Sequence, residues 1–178
     1  ALPTDPALRI GTLPNGLKVL TLRYATVPKV SVVLTVRSGL AADPANQAGL
    51  AQFVADAIQE GTKTRTSEQI RREVFALGAS LSGAAGQDTS SFTMRGMADT
   101  LPQMLDILSD IARNPTFPQD EVDLIKANTA QAIQAQLASP QFVANRVYRQ
   151  SLLGADPYAR VGPTPESVQA IDRTAIAA

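Results

Sequence analysis

The stretch GLAQFVADAIQEGT, residues 49 to 62, sets Gln52 and Asp56 four residues apart, with Ala55 between them. On a helix, positions i and i+4 lie one above the other, so an amide oxygen and a carboxylate would point the same way. Such a pair can touch a hard cation, although a useful calcium site takes about 6–8 oxygens. It can equally be two solvated polar residues on the open face of an amphipathic helix. The wider inventory narrows the chemistry, because the chain contains no His and no Cys. Within these residues that excludes a His-based zinc centre, a Cys-rich structural zinc site, a Ser-His-Asp triad and a Cys nucleophile. Carboxylate acid/base chemistry, a Ser-Lys pair or an oxygen-only cation site remain possible, but no Ser-x-x-Lys spacing occurs. Glu60, Glu68 and Glu73 sit on or near helix ends and read as solubilising charges. Lys63, Arg65, Arg71 and Arg72 could grip a carboxylate or a partner, or form a solvated face.

The elements that must position these residues are legible from periodicity and turn chemistry. In RIGTLPNGLKVLTLRY, short apolar runs flank Asn15-Gly16, which predicts a hairpin with a type I′ turn. KVSVVLTVRSG, rich in β-branched residues, predicts a strand from about Val30 to Arg37. After the turn-forming AADPANQAG, Leu50, Phe53, Val54, Ala57 and Ile58 form the stripe of a core-facing helix that stops at Gly61. A second helix begins at Ser67 as N-cap and ends at Gly78. A second hairpin turns around Gly86-Gln87-Asp88, with Phe92 and Met94 on one face and Thr93 and Arg95 on the other. Thr100 then caps a helix with Leu101, Leu105, Leu108 and Ile111 inward. A long helix from Gln119 to about Leu137 breaks at Ser139-Pro140, and another carries FVANRVYRQSLL to Gly154. Thr164-Pro165-Glu166 opens a short helix, and RTAIAA opens one more.

Strands, two helices, strands and several helices do not alternate as βαβ units. The expected class is α+β, a mainly antiparallel sheet covered by helices on one face. At 178 residues the chain is long enough for one domain with a real core. Sixteen basic and sixteen acidic residues cancel, which gives no electrostatic footprint for nucleic acid or an anionic membrane. No apolar run approaches the ~20 residues of a membrane span. ALPTDPAL is not a signal peptide, and the abrupt end suggests a piece of something longer.

Several marks occur in order: LPNGLKV, VRSG, GLAQF…EGT, LGASLSG, NPTFPQDEVD and DPYARVGPTPESVQAI. Together they resemble the pitrilysin/insulinase metallopeptidases, which include the mitochondrial processing peptidase and its bacterial relatives. In that family the first helix carries His-x-x-Glu-His, two zinc ligands one turn apart with a general base between them. The resemblance places Gln52 and Asp56 at the two histidines and Ala55 at the glutamate. The third ligand, a glutamate on the long helix, falls near Ala132-Ile133, where NTAQAIQAQLA holds no acidic residue.

The resemblance thus implies the N-terminal domain of a longer, non-catalytic member. It binds no metal itself, and its partner is a homologous zinc-bearing subunit or half. The expected role is to complete the peptide-holding chamber of that partner, with a peptide or unfolded polypeptide as the shared substrate. A scaffolding subunit with no part in proteolysis is the alternative. The family binds peptide along an edge strand, which maps to Ser82, Gly83, Ala84 and Ala85. Small residues there could instead relieve crowding or mark a bulge. Bacterial relatives suggest a periplasmic or secreted setting.

Overall fold

The computed structural model describes residues 8–23 and 27–177. Tyr24, at the end of the expected first hairpin, the opening ALPTDPA and the final Ala178 lie outside the described residues. Strands β1 (Leu8–Thr12) and β2 (Lys18–Leu22) come first, then β3 (Lys29–Val36) and helices α1 (Leu50–Ala57) and α2 (Ser67–Ala76). Strands β4 (Ser80–Ala85) and β5 (Ser90–Met97) follow. The rest is helical: α3 (Leu101–Arg113), α4 (Gln119–Leu137), α5 (Pro140–Leu153), α6 (Pro165–Ala170) and α7 (Arg173–Ala177).

Among the described residues every strand pairing is antiparallel, and the strands form two sheets rather than one. β1 and β2 make an exposed ribbon, and β3, β5 and β4 make a three-stranded sheet in that order. The class expected from the sequence is therefore correct, with helices on one face of the larger sheet. Phe92 and Met94 of β5 are buried, and Val30, Val32 and Leu34 of β3 pack against the same core. Ser31, Val33 and Thr35 alternate to the open face. The helices contribute Phe53, Ala55 and Ala57 from α1 and Ile70 and Val74 from α2. Met104, Ile107, Leu108 and Ile111 come from α3 and Val122 from α4.

Four local expectations are corrected. The first turn is not type I′. Gly16 N–H donates to Leu13 O at 2.9 Å and Leu13 N–H to Leu17 O at 2.9 Å, while Gly16 alone in this loop has positive φ, +84°. This is a type I turn closed by a glycine bulge. Pro14, with φ fixed near −65°, fits the first central position of type I, and without an N–H it cannot close the two-residue I′ loop expected at Asn15-Gly16. The cap of α2 is Thr66, not Ser67: Thr66 is extended, its side chain accepts from Gln69 N–H at 3.2 Å, and its own N–H donates to Gln69 Oε1 at 2.8 Å, which completes a capping box. Ser67 lies inside the helix, where its hydroxyl donates to Glu121 Oε1 at 2.6 Å.

Thr100 makes no cap either. It ends a 3₁₀ turn, Ala98–Thr100, and its hydroxyl donates to Met97 O at 2.9 Å. The helix it precedes is rotated from the expected face. Leu105 is exposed, and Met104 and Ile107 join Leu108 and Ile111 inside. Apolar residues occupy both candidate stripes of α3, and contact with β5 decides between them.

Candidate functional site

Helix α1 is held at its start by a residue that a scan for turns passes over. Asp43 accepts Gly49 N–H at 2.7 Å and Ala51 N–H at 2.9 Å, so its carboxylate satisfies two of the donors a helix N-terminus leaves free. Burial pushes the Asp43 carboxyl above its ordinary value, partly offset by the bonds from Ala51 and Gly49 and by the charge of Arg160. The segment after α5 straps this corner down. Arg160 donates to Asp43 O at 2.7 Å, Ser167 Oγ to Ala48 O at 2.8 Å, and Tyr158 Oη bonds Asp88 in the β4–β5 turn. Gly49, at φ +97°, lies so close to Pro163 that a Cβ would sit 2.8 Å from the proline ring. DPYARVGPTPESV therefore positions α1, a role that its turn residues alone do not announce.

The polar face of α1 differs from a solvated surface. Gln52 and Asp56 are half-buried and bonded to each other, Gln52 Nε2 donating to Asp56 Oδ1 at 2.8 Å. The opposite end of the same amide, Oε1, accepts Ala85 N–H at 2.9 Å. A primary amide carries a donor and an acceptor on one short stem, so Gln52 satisfies a carboxylate and a backbone N–H together. Burial pushes the Asp56 carboxyl up, against the lowering effect of the Gln52 bond. Ala55 is not beside them in solvent: it is 0% exposed, a core residue beneath β4.

β4 is an edge strand of the three-stranded sheet among the described residues. The register pairs Ser80 with Arg95 and Ala85 with Ser90, and Gly86 N–H donates to Thr89 O at 2.8 Å. Antiparallel pairs alternate between bonded and non-bonded, so Ala84, Ser82 and Ser80 bond β5. The backbone groups of Ala85, Gly83 and Leu81 point to the open edge. Ser82 and Ala84 place their side chains on the exposed face, and Gly83 and Ala85 face the helices. A Cβ on Gly83 would lie 2.3 Å from Ala55 O, so contact with α1 requires glycine there. For Gly83 the small side chain thus relieves crowding, one of the two possibilities open from the sequence.

Ala132 is exposed on α4, and its neighbour Ile133 is buried. Among the described residues no group of three or more His, Cys, Asp or Glu side chains is placed to hold a metal ion.

Among the charged residues Arg65 stands apart, whereas Lys63, Arg71 and Arg72 are exposed. Arg65 is part of a network, not a solvated face. Its guanidinium donates to Asp110 Oδ2 at 2.8 Å, Asp106 Oδ2 at 2.6 Å and Glu73 Oε2 at 3.0 Å. Asp110 also accepts from Thr62 and Thr64 hydroxyls, each at 2.7 Å, and from Asn114 Nδ2 at 2.9 Å. Burial alone would raise the Asp110 carboxyl, but the bonds from Thr62, Thr64, Asn114 and Arg65 together hold it well below the usual carboxylate range. Arg71 pairs with Glu60 at 2.7 Å and Arg72 with Glu68. The three glutamates are therefore counter-charges of the three arginines. The TKTRT loop after α1 is pinned to α3 by this network, which also fixes the start of α2.

The site is thus a helix whose polar face bonds the edge of an antiparallel sheet, backed by a helical layer. The chain belongs to the insulinase family (Peptidase family M16), whose profile matches residues 18–158. It is 28% identical over 132 residues, 74% of this chain and 31% of the relative, to an uncharacterized zinc protease of Rickettsia bellii. Its fold matches the inactive domain of an M16 peptidase from Pseudomonas fluorescens with a TM-score of 0.89 at 22% identity. That match covers 96% of this chain and 42% of the other. The first half of the periplasmic protease PqqL from Escherichia coli matches with a TM-score of 0.87 at 21% identity, over 99% of this chain and 40% of that half. The chain therefore spans less than half the length of each. Among the described residues no helix is long and apolar enough to cross a membrane.

Proposed function

We propose that this domain is a catalytically inert M16 module, the N-terminal domain of a longer chain, which completes the peptide-binding chamber of a zinc-bearing homologous subunit or half. One observation carries the proposal: the face where the family's ligands would lie is occupied by Gln52 and Asp56 bonded to each other, with Gln52 also bonded to Ala85. Ala55, at the place of the general base, offers no group to activate water. No histidine elsewhere in the chain could take over. The edge of β4 at Ser82, Gly83, Ala84 and Ala85 remains the candidate peptide site, since a strand can add where Leu81 and Gly83 direct their backbone groups outward. Zinc is supplied only by the partner, and a periplasmic or secreted setting is part of the same proposal.

Co-purification with a zinc-bearing homologue, followed by peptide cleavage with each component alone and together, tests this reading. The expected result is no cleavage by this chain, and cleavage by the partner that rises when the chain is added. Chelator-sensitive cleavage by this chain alone overturns the inert reading. Equal partner activity with and without it overturns the chamber role and leaves a scaffolding subunit.

A further inference from the structure

We infer that Gln52 is a cap on the edge of β4 that limits how much of this strand an extended peptide can pair with. The inference rests on the edge-strand reading above and adds a residue that sets its length. Three β4 residues, Leu81, Gly83 and Ala85, turn their backbone groups away from β5. At Ala85 the position of an incoming carbonyl is already filled, because Gln52 Oε1 accepts that N–H at 2.9 Å. The side-chain amide thus stands in for one peptide unit of a neighbouring strand. Covering an open edge in this way is a recognised protection against unwanted strand addition.

Asp56 acts through Gln52 and is a positioning residue. It holds Nε2 at 2.8 Å, which fixes the amide with its oxygen toward Ala85. Both residues project from α1, whose opposite face is locked in the core by Phe53 and Ala57, so the cap moves by side-chain rotation without displacing the helix. Each is half-buried, so part of the Gln52 side chain meets solvent. A peptide therefore pairs freely with Leu81 and Gly83 and reaches Ala85 only by displacing Gln52. The preferred ligand is an extended segment whose main-chain pairing ends at Gly83, or one whose additional bond at Ala85 replaces the lost amide contact.

The test uses the chain, its Gln52→Ala and Asp56→Ala variants, and a short fluorescein-labelled peptide of alternating valine and lysine. Without peptide, Gln52→Ala should speed hydrogen exchange at the Ala85 amide about tenfold while the Ala84 amide, bonded to β5, is unchanged. In fluorescence anisotropy the same variant should bind the peptide several-fold more tightly, with protection at Ala85 on binding. Asp56→Ala should change both in the same direction by less. Unchanged Ala85 exchange in Gln52→Ala overturns the cap. Equal peptide affinity of wild type and Gln52→Ala overturns the length limit while leaving the edge-strand reading in place. Absence of binding by all three proteins overturns that reading and the inference with it.

Discussion

Replacing Asp110 by alanine removes the acceptor on which the α1–α2 loop and α3 converge. The carboxylate is 7% exposed and receives four hydrogen bonds, from Thr62, Thr64, Arg65 and Asn114. Deleting one partner of a buried ion pair costs about 3–5 kcal/mol, because the other charge is left uncompensated. Here Arg65 keeps Asp106 and Glu73, and exposed Thr64 can turn to water. As a donor, buried Thr62 is left with a long contact of 3.5 Å to Arg65 O, while its oxygen still accepts Thr64 N–H and Arg65 N–H. The expected loss is therefore at the low end, about 3 kcal/mol. Urea unfolding followed by circular dichroism measures it as a lower midpoint at unchanged slope.

The pH dependence has a definite sign. Asp110 is depressed in the folded state, so its contribution is complete above the unfolded carboxylate value of about 3.9 and is lost as pH falls below it. The gap between wild type and Asp110→Asn should accordingly be wide at neutral pH and shrink as the solution is acidified below about pH 4. A loss under about 1 kcal/mol for Asp110→Ala, or an acid limb identical in Asp110→Asn, would refute the assignment of this network as the pin between α1 and α3.

Gly83→Ala drives a methyl to 2.3 Å from Ala55 O and should cost about 1–3 kcal/mol, read from thermal or urea unfolding; a neutral result would mean that β4 is free to lift from α1. Asp56 is raised by burial, the opposite sense to Asp110, so Asp56→Asn should stabilise the protein at neutral pH. The advantage should fade as pH drops toward the unfolded value of about 3.9; a gap that widens on acidification would reverse the sign assigned here. Introducing Gln52→His and Asp56→His together, with core Ala55 kept, should give weak zinc binding by equilibrium dialysis, tightened at least about tenfold when Ala132→Glu supplies a third ligand. Equal affinity with and without that third change would sink the placement of Ala132 at the ligand position.

The positions of the helices were largely legible because each carries its own signals. The stripe of α1, Ser139-Pro140 before α5 and Thr164-Pro165 before α6 are local patterns, and local hydrogen bonds execute them. The errors fall where two local solutions compete. Thr66 and Ser67 both can cap, and α3 offers two apolar stripes; a partner element, Glu121 in one case and β5 in the other, makes the choice. The turn at Pro14 was decidable in the sequence, since proline has no N–H to donate across the two-residue loop that type I′ at Asn15-Gly16 demands.

For the candidate site, composition alone determined what is missing: a chain without histidine or cysteine cannot assemble a His-based zinc centre, whatever its fold. Periodicity put Gln52 and Asp56 on one face of one helix, since that follows from 3.6 residues per turn. It did not determine what that face meets. Ala85 lies 33 residues from Gln52 and Asp110 lies 45 from Arg65, separations at which a residue pattern holds no record of contact. Only packing decided that Ala55 is buried under β4, that Gly83 makes room for its carbonyl, and that the Gln52 amide closes one end of the sheet edge.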